Sequence, residues 1–346
     1  MKSLTITSSR TAAGKTTVGL GIALNSDMKC GYFKPFGDHL VYSKKSIHDL
    51  DAMVFHKWMG MPDDVLTSTL GFDSDKIMSH WNQSELDNVL KKNYNSISKG
   101  SDLMLVESAR NYSYGGHMDL DSVSLAQKLD SDMVLVAEGD IPLILDKVLA
   151  ISKCTDNIVR LKGVVINKAT EEDREKIEVE VPPVLERKGI RLLGILPRLK
   201  ELEKGTMQLV LDKLNAKLIA GSEGLDNIIE VVHIGALSAD QAMNLPSFFV
   251  ENKMLITGGD RIDLIFAALN MNTAGIVLTN NIIPHPKVMA KADDLKIPII
   301  SVHMDTYTTS KAVEKIIAEI TPEDEYKRNL IKNMAKKNLD LDAILQ

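Results

Sequence analysis

The feature that most constrains the fold is a strand–loop–helix pattern at the N-terminus, between Thr5 and Thr17. An apolar strand runs into a loop of small residues, and Gly14-Lys15-Thr16 then opens a helix-length segment. In such a loop the backbone N–H groups and the helix N-terminus point at an anion, the lysine reaches the β- and γ-phosphates, and the threonine hydroxyl ligates Mg²⁺. The sequence therefore predicts a binding site for ATP with Mg²⁺.

The loop departs from the usual pattern at one position. Ser9 stands where the first glycine is usually found, and serine tolerates a positive φ poorly. The alternative is an ordinary strand–loop–helix with a chance Gly-Lys-Thr. Under the phosphate-loop interpretation, Lys15 is also a candidate catalytic residue, and the expected nucleotide contacts are Ser9, Thr11, Ala13, Gly14, Lys15, Thr16 and Thr17.

Strand-length apolar runs alternate with amphipathic helical segments along the whole chain. This alternation predicts an α/β fold, a mostly parallel sheet with helices on both faces. A break of small residues near Ala220–Gly224 precedes a second alternating series. We therefore expect a P-loop domain over residues 1–220 and a smaller α/β domain over 222–320. Residues 321–346 are expected to form a charged helical tail. This tail is either a surface helix or a helix that packs on a partner chain.

Composition excludes several classes of function. A net charge of −6 with mixed signs disfavours nucleic-acid binding, which needs a basic surface. The sequence has no apolar stretch of membrane-spanning length and no signal peptide, so no membrane association is expected. Cys30 and Cys154 are too few for a disulfide framework or a zinc site. A cytoplasmic protein is the expectation.

Charged residues follow three of the predicted strands. Lys34 follows the second strand, where it can neutralise a γ-phosphate or orient an anionic substrate, and it is the second candidate catalytic residue. Glu107 ends the apolar run Leu103–Val106, and Asp49 and Asp51 lie downstream of Lys34. Carboxylates at strand ends near a triphosphate are Mg²⁺ ligands, so Thr16, Asp51 and Glu107 are the expected metal site. Helix N-capping is the alternative role of Asp49 or Asp51.

Asn167 ends another apolar strand, Gly163–Ile166. An amide offers both a donor and an acceptor, as the edge of adenine requires. Asn167 is therefore a candidate for reading the base, and an ordinary turn residue is the alternative.

Together these residues resemble the dethiobiotin synthetase family and related ATP-dependent amidoligases. The resemblance implies the same roles for Lys15, Thr16, Lys34, Asp51, Glu107 and Asn167, and it adds Pro197 of Leu193–Arg198 to the nucleotide site. The chain departs from the family at two places. Arg10 replaces a usual acidic residue of the loop, so one metal contact is lost and a positive charge is gained. Glu107-Ser108-Ala109-Arg110 stands where the family has Glu-Gly followed by small residues, so the substrate side is rebuilt, which puts dethiobiotin synthesis itself in doubt.

Residues 222–315 resemble the DRTGG domain, through Thr257–Asp263 and Asp305–Thr309. The pair of domains resembles the N-terminal region of the long form of bacterial phosphate acetyltransferase, without its catalytic domain. Acyl transfer to phosphate is therefore not expected. From the residues themselves, Arg261 is either a ligand for a phosphate or carboxylate or part of a tight turn with an internal ion pair.

Three functions compete at this point. The first is a regulatory protein that binds ATP with Mg²⁺ and signals to a protein partner, or within a homo-oligomer, through the DRTGG-like domain. The second is an ATP-dependent ligase that activates a carboxylate on an unknown substrate. The third is a nucleotide-dependent assembly factor.

Overall fold

The computed structural model describes residues 1–43, 46–61, 68–314 and 320–346. The chain divides into two compact units, one formed by Met1–Arg198 with Ile320–Gln346 and the other by Leu199–Glu319. Each unit is built on its own mostly parallel sheet, so the predicted α/β fold class is confirmed. No helix in the described parts of the chain has both the length and the apolarity to cross a membrane.

The first unit contains a six-stranded parallel sheet and a separate two-stranded hairpin. The sheet has the order β2-β5-β1-β6-β7-β8, and β3 and β4 form the hairpin. The later strands extend the sheet on both sides of β1, with β5 and β2 on one side and β6, β7 and β8 on the other. The loop after β1 therefore lies where the strand order reverses, which is where α/β sheets bind ligands. The strands are β1 (Lys2–Ser8), β2 (Cys30–Phe33), β3 (Leu40–Ser43), β4 (Ser46–Asp49), β5 (Leu103–Glu107), β6 (Asp132–Ala137), β7 (Leu161–Ala169) and β8 (Leu192–Pro197).

Helices cover both faces of this sheet, and most begin at a side chain that caps the first free N–H groups. Asp49, Asn82, Asp140 and Thr170 each accept a hydrogen bond from the backbone of the helix that follows. The helices are α1 (Lys15–Leu24), α2 (Leu50–Met59), α3 (Ser74–His80), α4 (Gln83–Ile97), α5 (Ser122–Lys128), α6 (Ile141–Thr155) and α7 (Glu171–Glu186), with a 3₁₀ turn at Gly116–Met118.

The second unit has a five-stranded sheet of order β10-β11-β12-β13-β9, in which β9 is antiparallel to β13. Its strands are β9 (Lys217–Ala220), β10 (Val231–Ile234), β11 (Lys253–Gly258), β12 (Thr273–Thr279) and β13 (Ile299–Ser301). Its helices are α8 (Lys200–Glu203), α9 (Met207–Lys213), α10 (Ala239–Ala242), α11 (Ile262–Leu269), α12 (Pro286–Asp294) and α13 (Thr306–Glu314), with 3₁₀ turns at Ser222–Gly224 and Pro246–Phe249.

The structure divides the chain before the Ala220–Gly224 break, because β9 belongs to the second sheet. Ala220 pairs with Ile299, and Met207 is fully buried in the core of the second unit. Gly275 is required there, since a Cβ at this position would lie 2.4 Å from the sulfur of Met207. The sequence pattern does not show this, because β9 is only four residues long.

The C-terminal segment is helical and packs within the chain. It consists of α14 (Glu325–Asn338) and α15 (Leu341–Leu345). α14 lies on α1 through Ile331 and Ala335, which are both buried. Gly21 of α1 permits the close approach, because a Cβ at this position would lie 2.6 Å from the Cβ of Ala335. The C-terminal segment therefore covers the helix that follows the phosphate-binding loop.

This close approach predicts that Gly21→Ala destabilises the first unit. In an open helix, alanine in place of glycine adds about 0.5–1 kcal/mol of stability. Overpacking against a backbone-fixed methyl group costs about 1–3 kcal/mol, so a net loss is expected. The chain has two tryptophans, Trp58 and Trp81, and both lie in the first unit, so their fluorescence during urea unfolding measures the effect.

Gly116→Ala is the matched control, since a Cβ there would meet its nearest neighbour at an ordinary 3.9 Å. A more stable Gly21→Ala protein would show that α1 and α14 do not pack closely in solution.

Candidate nucleotide and metal site

The sheet register brings three of the predicted site residues to one edge. Glu107 of β5 pairs with Ile6 of β1, and the residue before it pairs with Phe33 of β2. Because these strands are parallel, their carboxyl ends face the same side. Lys15 follows β1 and Lys34 follows β2, so both amines converge on the Glu107 carboxylate.

The loop between β1 and α1 turns at Ala12, with φ 60°, and at Gly14, with φ 93°. Ser9 is outside the positive-φ region, so replacement of the usual glycine costs no backbone strain here. Glycine is required at position 14, where a Cβ would lie 2.1 Å from Nδ2 of Asn167. The Asn167 amide donates to the Ala13 carbonyl at 2.8 Å. Asn167 therefore anchors the loop, and its contact with adenine stays a prediction.

Lys15 is buried beneath this loop. Its Nζ donates to the carbonyl of Arg110 at 2.7 Å and to the hydroxyl of Ser8 at 3.3 Å. Burial lowers the pKa of Lys15, although nearby carboxylates oppose that effect. A phosphate oxygen offers the same acceptor chemistry with a full negative charge, so it competes directly for this amine.

Lys34 is the centre of a buried charge network and is 1% exposed. Burial alone would lower its pKa, but the surrounding carboxylates raise it well above the usual value. Nζ lies 2.5 Å from Asp38 Oδ1, 3.4 Å from Asp49 Oδ1 and 3.6 Å from Glu107 Oε1, and it also contacts Asp51 Oδ2. We refer to these four carboxylates as the acid cluster: Asp38, Asp49, Asp51 and Glu107.

Asp49 and Asp51 have different roles in the acid cluster. Asp49 caps α2 by accepting hydrogen bonds from the N–H groups of Asp51 and Ala52, so capping is its structural role. Asp51 lies within the first turn, and its carboxylate faces Lys34 and His39. Burial would raise the pKa of Asp51, but Lys34 and His39 together hold it well below its usual range. Asp51 is therefore a permanent anion at this edge.

Glu107 joins the acid cluster to the phosphate-binding loop. Its Oε1 accepts a hydrogen bond from the Thr16 hydroxyl, and its Oε2 accepts one from the Tyr32 hydroxyl, both at 3.0 Å. Burial raises the pKa of Glu107 to about 7, against the pull of Lys34. The two residues predicted to share a metal ion, Thr16 and Glu107, are thus in direct contact.

The residues at this edge fit Mg²⁺. Carboxylate oxygens of Asp38, Asp49 and Asp51 lie within 4.8 Å of one another. With Thr16 and Glu107 they supply only oxygen donors, which Mg²⁺ prefers. The acid cluster carries four negative charges when ionised, against two positive charges from the buried lysines, so a divalent cation balances the remaining two.

The other predicted contacts lie around the rim of the loop. Arg10 is 3.8 Å from Glu138, which also lies 3.7 Å from Lys168. Lys168 donates to the Ala12 carbonyl at 2.9 Å. Pro197 ends β8 beside the end of β7. Ala13 is buried in the loop, Thr11 is exposed there, and Thr17 is half-buried in the first turn of α1, where the contacts of all three with nucleotide remain predictions.

Sequence reasoning missed three members of this site. Asp38 follows Lys34 by four residues in the segment Lys34-Pro35-Phe36-Gly37-Asp38, a signal that was available as a pair of opposite charges next to a strand end. Tyr32 lies two residues before Lys34, on the side of the strand that faces Glu107. Arg110 contributes through its backbone, which no side-chain pattern shows.

In the second unit, the conspicuous Gly258-Gly259-Asp260-Arg261 segment serves a structural role. The Arg261 guanidinium donates to the carbonyls of Gly235 and Leu237, so it ties two loops together. A Cβ at Gly259 would lie 1.8 Å from the carbonyl oxygen of Ile282. These contacts favour the tight-turn interpretation of Arg261, with carbonyl groups in place of the expected acid.

The raised pKa of Glu107 predicts how stability depends on pH. The folded chain holds a proton on Glu107 up to about pH 7, whereas the unfolded chain releases it near the reference value of 4.5. The free energy of unfolding of the metal-free protein therefore falls as pH rises between these values, by about 2–4 kcal/mol from this group. Urea unfolding at pH 5, 6, 7 and 8 with a chelator measures the decline.

Glu107→Gln keeps the shape of the side chain and removes its titration. The free energy of unfolding of this variant should fall less over the same pH range, because Glu107 no longer titrates while every other titrating group is retained. Parallel pH profiles for the two proteins would contradict the assignment.

Comparison with known proteins places these observations in a family. A family model described as an AAA domain matches residues 2–206, and a DRTGG domain model matches residues 209–316. A solved structure of the MinD cell division protein of Aquifex aeolicus is 15% identical, covers 58% of this chain and 84% of that chain, and has a TM-score of 0.36.

Curated relatives match along almost the whole chain. Phosphate acetyltransferase of Nitratidesulfovibrio vulgaris is 25% identical over 97% of this chain and 50% of its own length. Phosphate acetyltransferase of Synechocystis is 24% identical over 94% of this chain and 48% of its own length. The chain thus spans about half the length of these relatives. Through residues 2–206 it belongs to the AAA domain family with a P-loop, and a DRTGG domain follows at residues 209–316.

Proposed function

We propose that this protein binds ATP with Mg²⁺ at the edge formed by β1, β2 and β5 and acts as a nucleotide-dependent regulatory or sensing protein. The observation that carries the proposal is the contact between Thr16 and Glu107 at 3.0 Å, next to the buried amine of Lys15. A hydroxyl and a carboxylate beside a phosphate-binding lysine form the donor set that Mg²⁺ and a triphosphate require together.

Each residue has a defined part in this proposal. The loop N–H groups from Ser9 to Thr17 hold the phosphates, and Lys15 neutralises the β- and γ-phosphate charge. Thr16, Asp51 and Glu107 hold Mg²⁺, which neutralises phosphate charge when it is bound. Asn167 and Pro197 complete the nucleotide site. The regulatory role is supported by the DRTGG domain that follows this domain. This pair of domains aligns with about half the length of the phosphate acetyltransferases.

The DRTGG unit is the proposed route of signalling, to a partner protein or within a homo-oligomer. Acyl transfer to phosphate is not part of the proposal. The Arg261 guanidinium of this unit is engaged with the backbone carbonyls of Gly235 and Leu237, so we assign it a structural part in the DRTGG unit.

A second candidate function is an ATP-dependent ligase that activates a carboxylate. It is favoured by one observation, the burial of Lys34 with Asp51 and Glu107 in contact distance of its amine. A buried lysine beside the metal ligands is the group that would stabilise a transferring phosphoryl group. ATP turnover that rises at least tenfold on addition of a carboxylate metabolite would establish the ligase, and constant slow turnover would support the regulator.

Lys15→Ala tests the phosphate-binding loop. Removing the amine takes away the buried cation that lies beneath the loop, so the affinity for Mg·ATP should fall at least 100-fold. Calorimetry measures the affinity, and circular dichroism checks that the fold is retained. Lys153→Ala is the matched control, because this exposed lysine lies near the C-terminal end of α6, at the opposite edge of the sheet. An unchanged affinity in folded Lys15→Ala would refute the loop assignment.

Glu107→Gln tests the metal site separately from the nucleotide site. The variant keeps hydrogen-bonding capacity but loses the negative charge, so the gain in ATP affinity on adding Mg²⁺ should shrink at least tenfold. ATP binding without metal should be retained or tighten, because charge repulsion with the phosphates is removed. Paired titrations with and without Mg²⁺ measure both effects, with Glu178→Gln on the exposed side of α7 as control. Equal losses in the two titrations would place Glu107 in the scaffold and leave Asp51 as the better ligand.

A further inference from the structure

Arg110 is a charged residue at this edge to which the ATP proposal gives no role. Its carbonyl accepts the hydrogen bond of Lys15 at 2.7 Å, and its N–H donates to Asp38 at 2.8 Å. One residue thus connects the phosphate-binding amine to the acid cluster. The Arg110 side chain therefore starts beside both of these groups.

The backbone at this position is held in an uncommon conformation. Arg110 has φ 36°, a positive value that is strained for a non-glycine residue. Besides Lys15 and Asp38, the Ser8 hydroxyl lies 3.1 Å from the same carbonyl, while its shorter hydrogen bond is donated to the Arg10 carbonyl at 2.8 Å. The strain is maintained by groups of the nucleotide site itself, so the direction of the Arg110 side chain is set by that site.

The Arg110 guanidinium rests on an aromatic platform. Its Cζ lies 4.5 Å from the ring centre of Tyr114, which stacks on buried Phe36 at 5.1 Å between ring centres. This cation–π contact holds the guanidinium against the ring, while Arg110 itself is exposed to solvent. Since Phe36 is 1% exposed, the platform is anchored in the core of the unit.

The charge of Arg110 is uncommitted, unlike that of its neighbours. Lys34 contacts four carboxylates, and Arg10 and Lys168 both lie near Glu138. Within residues 1–43, 46–61, 68–314 and 320–346, the Arg110 guanidinium forms no ion pair and no hydrogen bond. A fixed, exposed fork of N–H donors without an acid matches a carboxylate or phosphate group bidentately.

We infer that Arg110 binds the anionic group of a second ligand beside the γ-phosphate, and that this group is a phosphate or a carboxylate. The inference deepens the proposed function and rests on it, because the nucleotide defines the place at which the second anion is held. It applies to a sensor, for which the anion is the signal, and to a ligase, for which the anion is the substrate. Arg110 would position this ligand without contacting the adenine end of the nucleotide.

The experiment uses the full chain saturated with Mg²⁺ and the non-hydrolysable ATP analogue AMPPNP, so that the γ-phosphate position is filled. Inorganic phosphate and succinate are titrated separately by calorimetry, one for each source of the anion. We expect saturable binding of at least one, weakened at least tenfold in Arg110→Gln. Arg110→Lys should recover only part of it, since lysine keeps the charge but loses the bidentate fork.

Arg160→Gln is the matched control, because this 73%-exposed arginine precedes β7 at the opposite edge of the sheet. It should bind the anion like the wild type. Each variant is titrated at an analogue concentration that saturates that variant, so a change in nucleotide affinity does not imitate the effect.

The outcomes separate the two proposals. If the wild type binds Mg·AMPPNP but neither anion, or if Arg110→Gln binds the anion as tightly as the wild type, the inference about Arg110 is overturned and the proposed function stands. If the wild type does not bind Mg·AMPPNP, the proposed function fails, and the inference fails with it.

Discussion

The rest of the site depends on the buried ammonium group of Lys34. It is 1% exposed and contacts all four carboxylates of the acid cluster, which would repel one another without it. Three of the carboxylates connect it to other segments: Asp49 caps α2, Asp38 holds the backbone of Arg110, and Glu107 accepts the hydrogen bond of Thr16. A single buried cation thus fixes a helix start, a loop and the phosphate-binding segment relative to one another.

That network is not neutral, and its imbalance explains the chemistry of the edge. Four carboxylates surround the ammonium group of Lys34, and Lys15 is the next cation. The negative charges therefore outnumber the positive ones, which favours a proton on one of the acids. Asp51 stays ionised because Lys34 and His39 both face it, while burial raises the pKa of Glu107 to about 7. A divalent cation would remove the need for that proton. The site is therefore matched to a metal ion by its charge as well as by its oxygen donors.

Much of this arrangement follows from the sequence, because it depends on local patterns. Strand–loop–helix geometry identified Lys15 and Thr16, and strand ends identified Lys34 and Glu107, which the sheet register brings together. Helix α7 is harder to read from the sequence, because Pro182 and Pro183 lie inside it although Thr170 caps its start. The spacing of Ile177, Val181 and Leu185, all buried, was the better signal.

The remaining features could not be predicted because they depend on contacts between distant segments or on the backbone. Tyr32 joins the site only through the packing of β2 against β5, and the role of Arg110 lies in its carbonyl and N–H groups. The short strand β9 belongs to the second sheet through its antiparallel pairing with β13. The cover over α1 comes from α14, about 300 residues later in the chain.

The same contacts bear on how nucleotide binding would be transmitted. Lys15 holds the Arg110 carbonyl, and Arg110 holds Asp38, which contacts Lys34. The Lys15 ammonium has three N–H donors, and the Arg110 carbonyl and the Ser8 hydroxyl accept two of them. A phosphate bound at the loop would therefore share this amine with the carbonyl of a residue whose positive φ is a strained conformation. The segment is followed directly by Asn111-Tyr112, where Tyr112 N–H donates to the Ser8 carbonyl of β1. The phosphate-binding amine and residues 110–114 thus share hydrogen bonds, and these bonds are the contacts through which nucleotide binding would reach the segment.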